Sequence, residues 1–222
     1  MRKCVENITN VNVPQLKGTL RKVSPPVWRR IHIRSDATLE SLHRCIQVVF
    51  GWADSHMHSF RIETKVYGPV ALGDIVESTD ERKARVRDLF NGPGKCALYE
   101  YDFGDGWAHQ VLFECTVPFV FDQPYPWLLA GRRACPPDDV GGPLGYERFL
   151  AVMSNPRHPE HKELITWHGG PFDAMAFDAT ALNLALHGEW APATKRLTTR
   201  STRRTPASRG LQGRSRATGR AR

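Results

Sequence analysis

Histidines and aspartates in two short segments carry the chemistry that this sequence could perform. His56 and His58 flank Met57 in a stretch that reads as a strand, where residues two apart point the same way. Two imidazoles on one face suit a divalent metal ion, for which His109 is a third candidate ligand. A half-buried strand whose histidines only satisfy hydrogen bonds explains the pattern as well. We predict no cofactor, with a divalent metal ion as the one candidate left open.

The second segment runs from Tyr101 to His109 and places two carboxylates beside an indole and an imidazole. Asp102 and Asp105 flank a tight glycine-containing turn, and Trp107 follows with His109 on one face of the next strand. Aspartate and histidine supply metal ligands and proton-transfer groups near neutral pH. Turn aspartates also accept hydrogen bonds from nearby backbone amides, and we favour this structural role for both.

A proline- and glycine-rich segment, residues 135–145, brings two more acids next to the start of a helix. Asp138 and Asp139 lie where the positive end of a helix dipole favours negative charge. Cys135 has a nucleophilic sulfur, but no base next to it in the sequence is positioned to lower its pKa; His109 and His161 are the candidates for that base in the folded chain. A rigid, ordered loop is therefore the stronger interpretation. The candidate polar pocket, in which no catalytic residue is assigned, comprises His56, His58, Asp102, Asp105, Trp107, His109, Asp138 and Asp139.

Basic residues are concentrated at the C-terminus. The 222 residues include 31 Lys and Arg against 23 Asp and Glu, but ten of the basic residues and no acid follow residue 194. The preceding chain therefore carries a net charge of −2, while residues 191–222 lack aromatics and are predicted to be a disordered tail. Such a tail either only solvates the chain or contacts DNA or RNA nonspecifically. The arginines available for that contact are Arg196, Arg200, Arg203, Arg204, Arg209, Arg214 and Arg216.

The rest of the composition is typical of a globular protein with one domain. No apolar run approaches the ~18 residues that span a bilayer, and the polar N-terminus lacks the core of a signal peptide. We therefore expect a cytoplasmic protein without membrane contact. The predicted parts are a flexible N-terminus at 1–13, a domain at 14–190 and the tail at 191–222. The sequence does not indicate a protein partner.

Hydrophobic periodicity predicts an α+β domain with a mainly antiparallel sheet and packed helices. The predicted strands are 14–23, 27–34, 56–64, 96–101 and 107–117, the last two forming a hairpin. The predicted helices are 39–50, 143–153, 160–166 and 178–186. Asp36 or Thr38 is expected to cap the first helix, and Gly51 to end it. Residues 65–95 have only a short helical signal, and residues 118–143 read as irregular.

Taken in order, these motifs resemble the plasmid pRiA4b ORF-3-like family, which also carries the label of an insertion-element passenger protein of the TnpR type. The resemblance covers about residues 14–187. It implies a compact α+β domain found on plasmids, mobile elements and bacterial chromosomes, without a settled activity. The family usually has Cys at position 140 and Glu at position 138, where this chain has Val140 and Asp138, which weakens a paired-thiol site. The matching motifs are PPVWRRI at 25–31, TL to LH at 38–43, FGW at 50–52, HMHSF at 56–60, YDFGD at 101–105 with Trp107 and His109, CPPDD at 135–139 with Gly141, Gly142, Gly145 and Tyr146, and Pro156 to His158, Trp167 and Phe172-Asp173.

Three hypotheses of function follow. The first is an accessory protein of a mobile element that contacts DNA nonspecifically through its tail. The alternative is a metal-dependent or acid–base enzyme that uses the His/Asp pocket, and a scaffold with a fully paired polar core is the third. Convergence of His58, Asp105, His109 and Asp139 in one concave pocket would favour the enzyme, whereas dispersal would end that hypothesis.

Overall fold

The computed structural model describes residues 12–189, which form eight strands and five α-helices. In chain order, strands β1 to β8 are Val13–Leu20, Trp28–His32, His58–Ile62, Lys65–Gly68, Thr79–Asp80, Cys96–Tyr101, Trp107–Val117 and Trp127–Arg132. Helices α1 to α5 are Leu39–Phe50, Val86–Leu89, Gly142–Met153, His161–His168 and Ala179–Glu189. The predicted α+β class is confirmed. No helix within residues 12–189 is both long and apolar enough to cross a bilayer.

One sheet in the order β5-β4-β3-β6-β7-β1-β2-β8 is the frame of the domain. Neighbouring strands pair antiparallel except β4 and β5, which are parallel. The central β6–β7 hairpin has the predicted ends, and its eleven-residue strand β7 also pairs with β1. The fully buried Val13 opens β1, so the strand begins one residue before the predicted domain boundary. Residues 1–11 of the predicted N-terminal segment and the tail arginines, Arg196 to Arg216, lie outside the described residues.

Helix α1 matches its prediction at both ends. Thr38 is the N-cap, because its hydroxyl accepts a hydrogen bond from the Ser41 backbone amide, and Asp36 instead pairs with Arg34. Gly51 ends the helix in the left-handed conformation at φ 76°, which glycine adopts without strain. The apolar stripe of α1 packs on the sheet, where the Phe50 ring lies against β1. This helix covers the face of the sheet that holds the buried histidines described below.

Two segments that read as irregular contain regular structure. Residues 65–95 supply β4, β5, α2 and a 3₁₀ turn at Glu81–Lys83, which carries a buried carboxylate. Residues 118–143 supply β8, the edge strand beside β2. The Asn183 side chain of α5 both accepts from the Leu128 amide and donates to the Leu128 carbonyl. It thus satisfies backbone groups that would otherwise form an open sheet edge.

Arg29 on β2 connects α1 to the segment after β8. It lies among apolar residues with only 4% of its surface exposed, on the same side of the strand as the buried Ile31. All five of its N–H groups are used, one of them on the Cys135 sulfur at 3.0 Å. The other acceptors are the backbone carbonyls of Trp28, Val49, Arg132 and Arg133. Arg29 is therefore a structural residue that fixes the start of the 135–145 segment.

Candidate metal centre

The eight candidate residues of the polar pocket divide into three places. His56, Asp102 and Asp139 converge at the surface. Asp105 and Asp138 accept backbone hydrogen bonds that hold the segments around this group together. A second, buried group contains His58. Trp107 and His109 have no exposed surface and lie in the hydrophobic core. His58, Asp105, His109 and Asp139 are therefore dispersed, which ends the hypothesis of an enzyme that uses those four residues in one pocket. The three residues that do converge, His56, Asp102 and Asp139, are a different set that shares only Asp139 with it.

We call His56, Asp102 and Asp139 the centre. The His56 Nε2 atom lies 3.3 Å from Asp139 Oδ1 and 3.7 Å from Asp102 Oδ2. Asp102 is nearly buried, His56 is 31% exposed and Asp139 is 73% exposed, so the three groups open toward solvent on one side. One imidazole nitrogen and two carboxylate oxygens thus face a common point at the surface.

Hydrogen bonds tie together the three segments that carry the centre. The Asp102 amide donates to the Met57 carbonyl at 3.0 Å, which fixes the hairpin turn beside His56. The Ala53 amide donates to Asp138 Oδ2 at 2.9 Å, which fixes the loop before α3 to the same segment. The Gly141 amide donates to Asp105 Oδ2 at 3.1 Å and joins that loop to the hairpin. Asp105 and Asp138, both predicted as site residues, therefore hold the centre in place.

Both carboxylates of the centre come from unusual backbone positions. Asp102 has φ 53° and Asp139 has φ 58°, in the left-handed region that residues other than glycine seldom occupy. Asp102 Oδ1 accepts from the Gly104 amide at 2.9 Å and the Asp105 amide at 3.2 Å, as its predicted turn role requires. Its Oδ2 remains directed at His56. A single aspartate thus serves the turn with one oxygen and the centre with the other.

Close packing between the hairpin and the loop before α3 depends on Gly142. A Cβ atom there would lie 2.3 Å from the Asp105 carbonyl oxygen, and the φ of 69° also disfavours a side chain.

Burial, with the nearby charges of Asp139 and Asp102, raises the pKa of Asp138. Asp102, Asp139 and the nearby Asp138 thus give the neighbourhood of His56 an excess of negative charge, which favours a cation.

A cleft of about 330 Å³ adjoins the centre and shares Asp139 with it. Its walls are the facing sides of α3 and α4 and the loop before α3. Phe149, Leu164 and the half-exposed Trp167 make an apolar wall. Arg148 lies at the cleft and forms an ion pair with Glu160. The centre therefore opens beside a space that can hold a small molecule.

The second group, which we call the buried cluster, consists of His43, Asp54, His58 and Glu81. The imidazoles of His43 and His58 are stacked with ring centroids 3.4 Å apart and planes 5° apart. His43 Nε2 lies 2.9 Å from Asp54 Oδ1, and His58 Nε2 lies 2.8 Å from Glu81 Oε2. Two positive charges at this separation would repel by about 5 kcal/mol at an effective dielectric constant of about 20, so the rings do not both carry a proton charge.

A closed series of hydrogen bonds fixes the protons of His43. The Asp54 amide donates to Gln47 Oε1, so the Gln47 amide nitrogen donates to the Tyr99 hydroxyl oxygen. The Tyr99 hydroxyl then donates to His43 Nδ1 at 2.8 Å, which leaves the proton on Nε2 to donate to Asp54. Burial lowers the pKa of His43 to about 3, with further contributions from His58 and Arg44, and the ring is neutral at pH 7.

His56 and His58 do not share a face as the strand pattern predicts. Strand β3 begins only at His58, so His56 precedes the regular alternation and turns toward the hairpin. The two imidazoles therefore do not lie side by side, which leaves the possibility of one metal shared by the HxH pair without support, and each imidazole joins a different group of acids. His43, Asp54 and Glu81 were not predicted; His43 follows the apolar stripe of α1, and Glu81 has no local signal.

His109 and Trp107 belong to the aromatic core. His109 contacts the rings of Phe50 and Tyr99, and neither of its nitrogens makes a hydrogen bond of good geometry, although backbone groups lie near them. Burial lowers the pKa of His109 to about 4, so its ring is neutral. Among the described residues, His109 is in neither group that could hold a metal. Burial likewise raises the pKa of Cys135 to about 12, which disfavours a thiolate nucleophile.

Comparisons with known proteins give one matching family model and two similar proteins of unknown function. A family model described as plasmid pRiA4b ORF-3-like protein matches residues 12–181. "Uncharacterized protein y4hQ" from Sinorhizobium fredii (strain NBRC 101917 / NGR234) is 36% identical over 194 residues, covering 84% of this chain and 98% of that protein. The crystal structure of "Protein of Unknown Function MM3350" from Methanosarcina mazei Go1 is 34% identical with a TM-score of 0.70, covering 77% of this chain and 97% of the other.

Proposed function

The chain belongs to the plasmid pRiA4b ORF-3-like family, and for this member we propose a metal-dependent hydrolytic enzyme whose divalent cation is bound by His56, Asp102 and Asp139. The observation that carries this proposal is the separation of the three ligand atoms. Atoms bound to one tetrahedral metal at about 2.0–2.2 Å lie about 3.3–3.6 Å from one another. The His56 nitrogen lies 3.3 and 3.7 Å from its two carboxylate partners, and all three ligand atoms lie within 4.8 Å of one another, so a modest rearrangement of the exposed Asp139 brings them onto one ion.

The residues of the centre suit a catalytic rather than a closed structural site. Three protein ligands leave a coordination position for water, and a bound divalent ion supplies that water's acidity near neutral pH. Asp139 faces solvent and the cleft, so the open position lies on the accessible side. Asp105 and Asp138 keep the three segments fixed through backbone amides, which limits reorganisation when the ion binds.

The cleft between α3 and α4 is the proposed substrate site. Its apolar wall of Phe149, Leu164 and Trp167 suits a small substrate with an apolar or aromatic part. Asp139 is both a ligand of the centre and a residue of the cleft, so a substrate in the cleft lies next to the reactive water. The proposed class of reaction is therefore hydrolysis of an ester-like bond next to that group.

Metal-dependent hydrolysis by the full chain tests this proposal. Protein dialysed against EDTA is assayed with p-nitrophenyl acetate, p-nitrophenyl phosphate and bis(p-nitrophenyl) phosphate, before and after addition of Zn²⁺ or Mn²⁺. We expect activity to return with the metal in the wild type and in His32→Ala, whose imidazole bonds to Gln15 outside the centre. We expect His56→Ala to stay inactive. Activity independent of metal, or full activity in His56→Ala, would contradict the proposal.

A second candidate function is nonspecific DNA contact by the C-terminal tail. The specific observation is the run of ten basic residues without an acid after residue 194, in a chain whose preceding part has a net charge of −2. About five phosphate contacts would give a slope near −4 to −5 for the logarithm of affinity against the logarithm of salt concentration. DNA binding by the full chain that is lost on removal of residues 191–222 would support the accessory role. In that role, a cytoplasmic protein encoded by a mobile element contacts DNA nonspecifically through its tail. Equal affinity without these residues would exclude it.

A further inference from the structure

Two residues on one face of α4 line the cleft and take no part in the centre. Glu163 and Trp167 are four residues apart, so they are neighbours on that face of the helix. Both side chains are exposed, the indole by 47%. We propose that this pair binds a cationic nitrogen of the substrate, an ammonium or guanidinium group, beside the ester-like bond that the centre hydrolyses; the inference rests on the proposed function.

The charges that line the cleft leave one carboxylate without a partner. Three acids, Asp139, Glu160 and Glu163, accompany one base, Arg148. The Arg148 guanidinium donates to both carboxylate oxygens of Glu160, at 2.7 and 2.5 Å, so these two charges compensate each other. Asp139 faces His56 and is a ligand of the centre. Within residues 12–189 no ion pair includes Glu163, so its negative charge is available to a ligand.

The aromatic wall of the cleft adds a second attraction for a cation. The Trp167 ring packs edge-on against Phe149, with ring centroids 6.0 Å apart and planes 71° apart, which restrains the indole at the wall. The face of a tryptophan ring attracts ammonium and guanidinium groups within about 6 Å of its centroid. Among residues 12–189 no lysine or arginine lies over this ring. Its face is therefore free to contact a cationic ligand beside Glu163.

Size and charge together define the class of substrate. A cleft of about 330 Å³ is near the lower end of the range of about 300–1,000 Å³ that is typical of small-molecule sites, so one ring or a short apolar chain fits. An anionic substrate would meet Glu163 and Asp139 without a free base, because Arg148 is engaged by Glu160. The substrate is therefore a small ester with a cationic nitrogen. Water replaces the alkoxide at the ester carbonyl and gives the carboxylic acid and the alcohol, while the nitrogen stays unchanged.

Binding of benzylamine by the full chain in EDTA tests the cation site separately from the metal. Benzylamine is a cation at pH 7, whereas benzyl alcohol is a neutral molecule of nearly the same shape. The indole N–H signal of Trp167 in ¹H–¹⁵N spectra, assigned by its loss in Trp167→Phe, reports on the cleft. We expect benzylamine to shift this signal with at least about tenfold higher affinity than benzyl alcohol. Equal affinities, or no shift with benzylamine, would overturn the inference and leave the proposed function standing.

Glu163→Gln removes the charge of the cation site and keeps the size of the side chain. We expect this variant to bind benzylamine and benzyl alcohol with similar affinities. The matched control is Glu147→Gln, an exposed glutamate of α3 outside the cleft, which should keep the wild-type preference. An unchanged preference in Glu163→Gln would overturn the inference.

A matched pair of esters tests whether the bound cation is part of the substrate. With Zn²⁺ present, we expect Glu163→Gln to lower kcat/KM for p-nitrophenyl 4-(aminomethyl)benzoate about tenfold relative to p-nitrophenyl 4-methylbenzoate, which has no charge. Equal effects on both esters would overturn the assignment of the substrate. Benzylamine binding without metal-dependent hydrolysis of either ester would instead reject the proposed function, and the substrate class with it.

Discussion

Asp102 allows the turn and the centre to be separated by substitution. Its Oδ1 accepts two backbone hydrogen bonds, whereas its Oδ2 faces His56. Asp102→Asn keeps an acceptor oxygen for the turn and replaces the other oxygen with an amide group that cannot bind a cation. Asparagine also adopts the left-handed conformation more readily than most residues, so φ 53° is retained. Asp102→Ala loses both roles at once.

The turn role and the metal-binding role of Asp102 predict separate effects on the free energy of unfolding and on metal affinity. Loss of two hydrogen bonds at about 1 kcal/mol each lowers the free energy of unfolding of Asp102→Ala by about 2 kcal/mol, whereas Asp102→Asn stays within about 0.5 kcal/mol of the wild type. Loss of one of three ligands weakens metal binding at the centre by at least ~100-fold, or about 2.8 kcal/mol, in both variants. Affinity and stability should therefore change together in the alanine variant only.

Urea unfolding in EDTA measures the stability, and calorimetric titration with Zn²⁺ measures the affinity. Asp122→Asn is the control for loss of a surface negative charge. Wild-type metal affinity in Asp102→Asn would refute the role of Oδ2 in the centre. An unchanged free energy of unfolding in Asp102→Ala would refute the role of Oδ1 in the turn.

Three further predictions concern the frame that positions the centre. Arg29→Met removes a donor from four buried or partly buried carbonyls and should lower the free energy of unfolding by about 4 kcal/mol in urea titrations; a loss below about 1 kcal/mol would contradict this. Asn183→Ala uncovers the backbone of Leu128, so we expect faster amide exchange there and concentration-dependent association by light scattering, which an unchanged exchange rate would refute. The Arg30 guanidinium hydrogen-bonded to Glu114 lowers the pKa of that carboxyl, so the pair stabilises the fold above its usual pKa of 4.5 and less as the pH falls through the lowered value. The stability difference between wild type and Glu114→Gln, about 1 kcal/mol at pH 7, should therefore shrink in acid; a constant difference would contradict this.

Local patterns in the sequence are sufficient for much of the fold. The 3.6-residue stripe, Thr38 and Gly51 define α1 to the residue, and the glycine-containing turn after Tyr101 defines the hairpin. Strand β8 follows a proline-rich stretch, and its place depends on pairing with β2 and on cover by α5. Such long-range contacts have no signature in the residues of the strand itself.

The candidate site, like the fold, depends partly on local sequence and partly on contacts between distant segments. The sequence identifies His56, Asp102 and Asp139 by residue type, but their convergence depends on hydrogen bonds between three distant segments. The expected common strand face of His56 and His58 is not observed, because the strand begins only at His58. Glu81 joins His58 through a 3₁₀ turn in a segment without periodicity. The residue types therefore indicate which side chains can belong to the site, whereas their spacing along the chain does not indicate which of them lie together.

A crystal structure of the full chain grown with Zn²⁺, with anomalous data collected at the zinc edge, tests the central proposal most directly. We predict an anomalous peak about 2.0–2.2 Å from His56 Nε2 and from one carboxylate oxygen each of Asp102 and Asp139, with a water on the side of the cleft. Absence of a peak between these three residues at saturating Zn²⁺ would contradict the account.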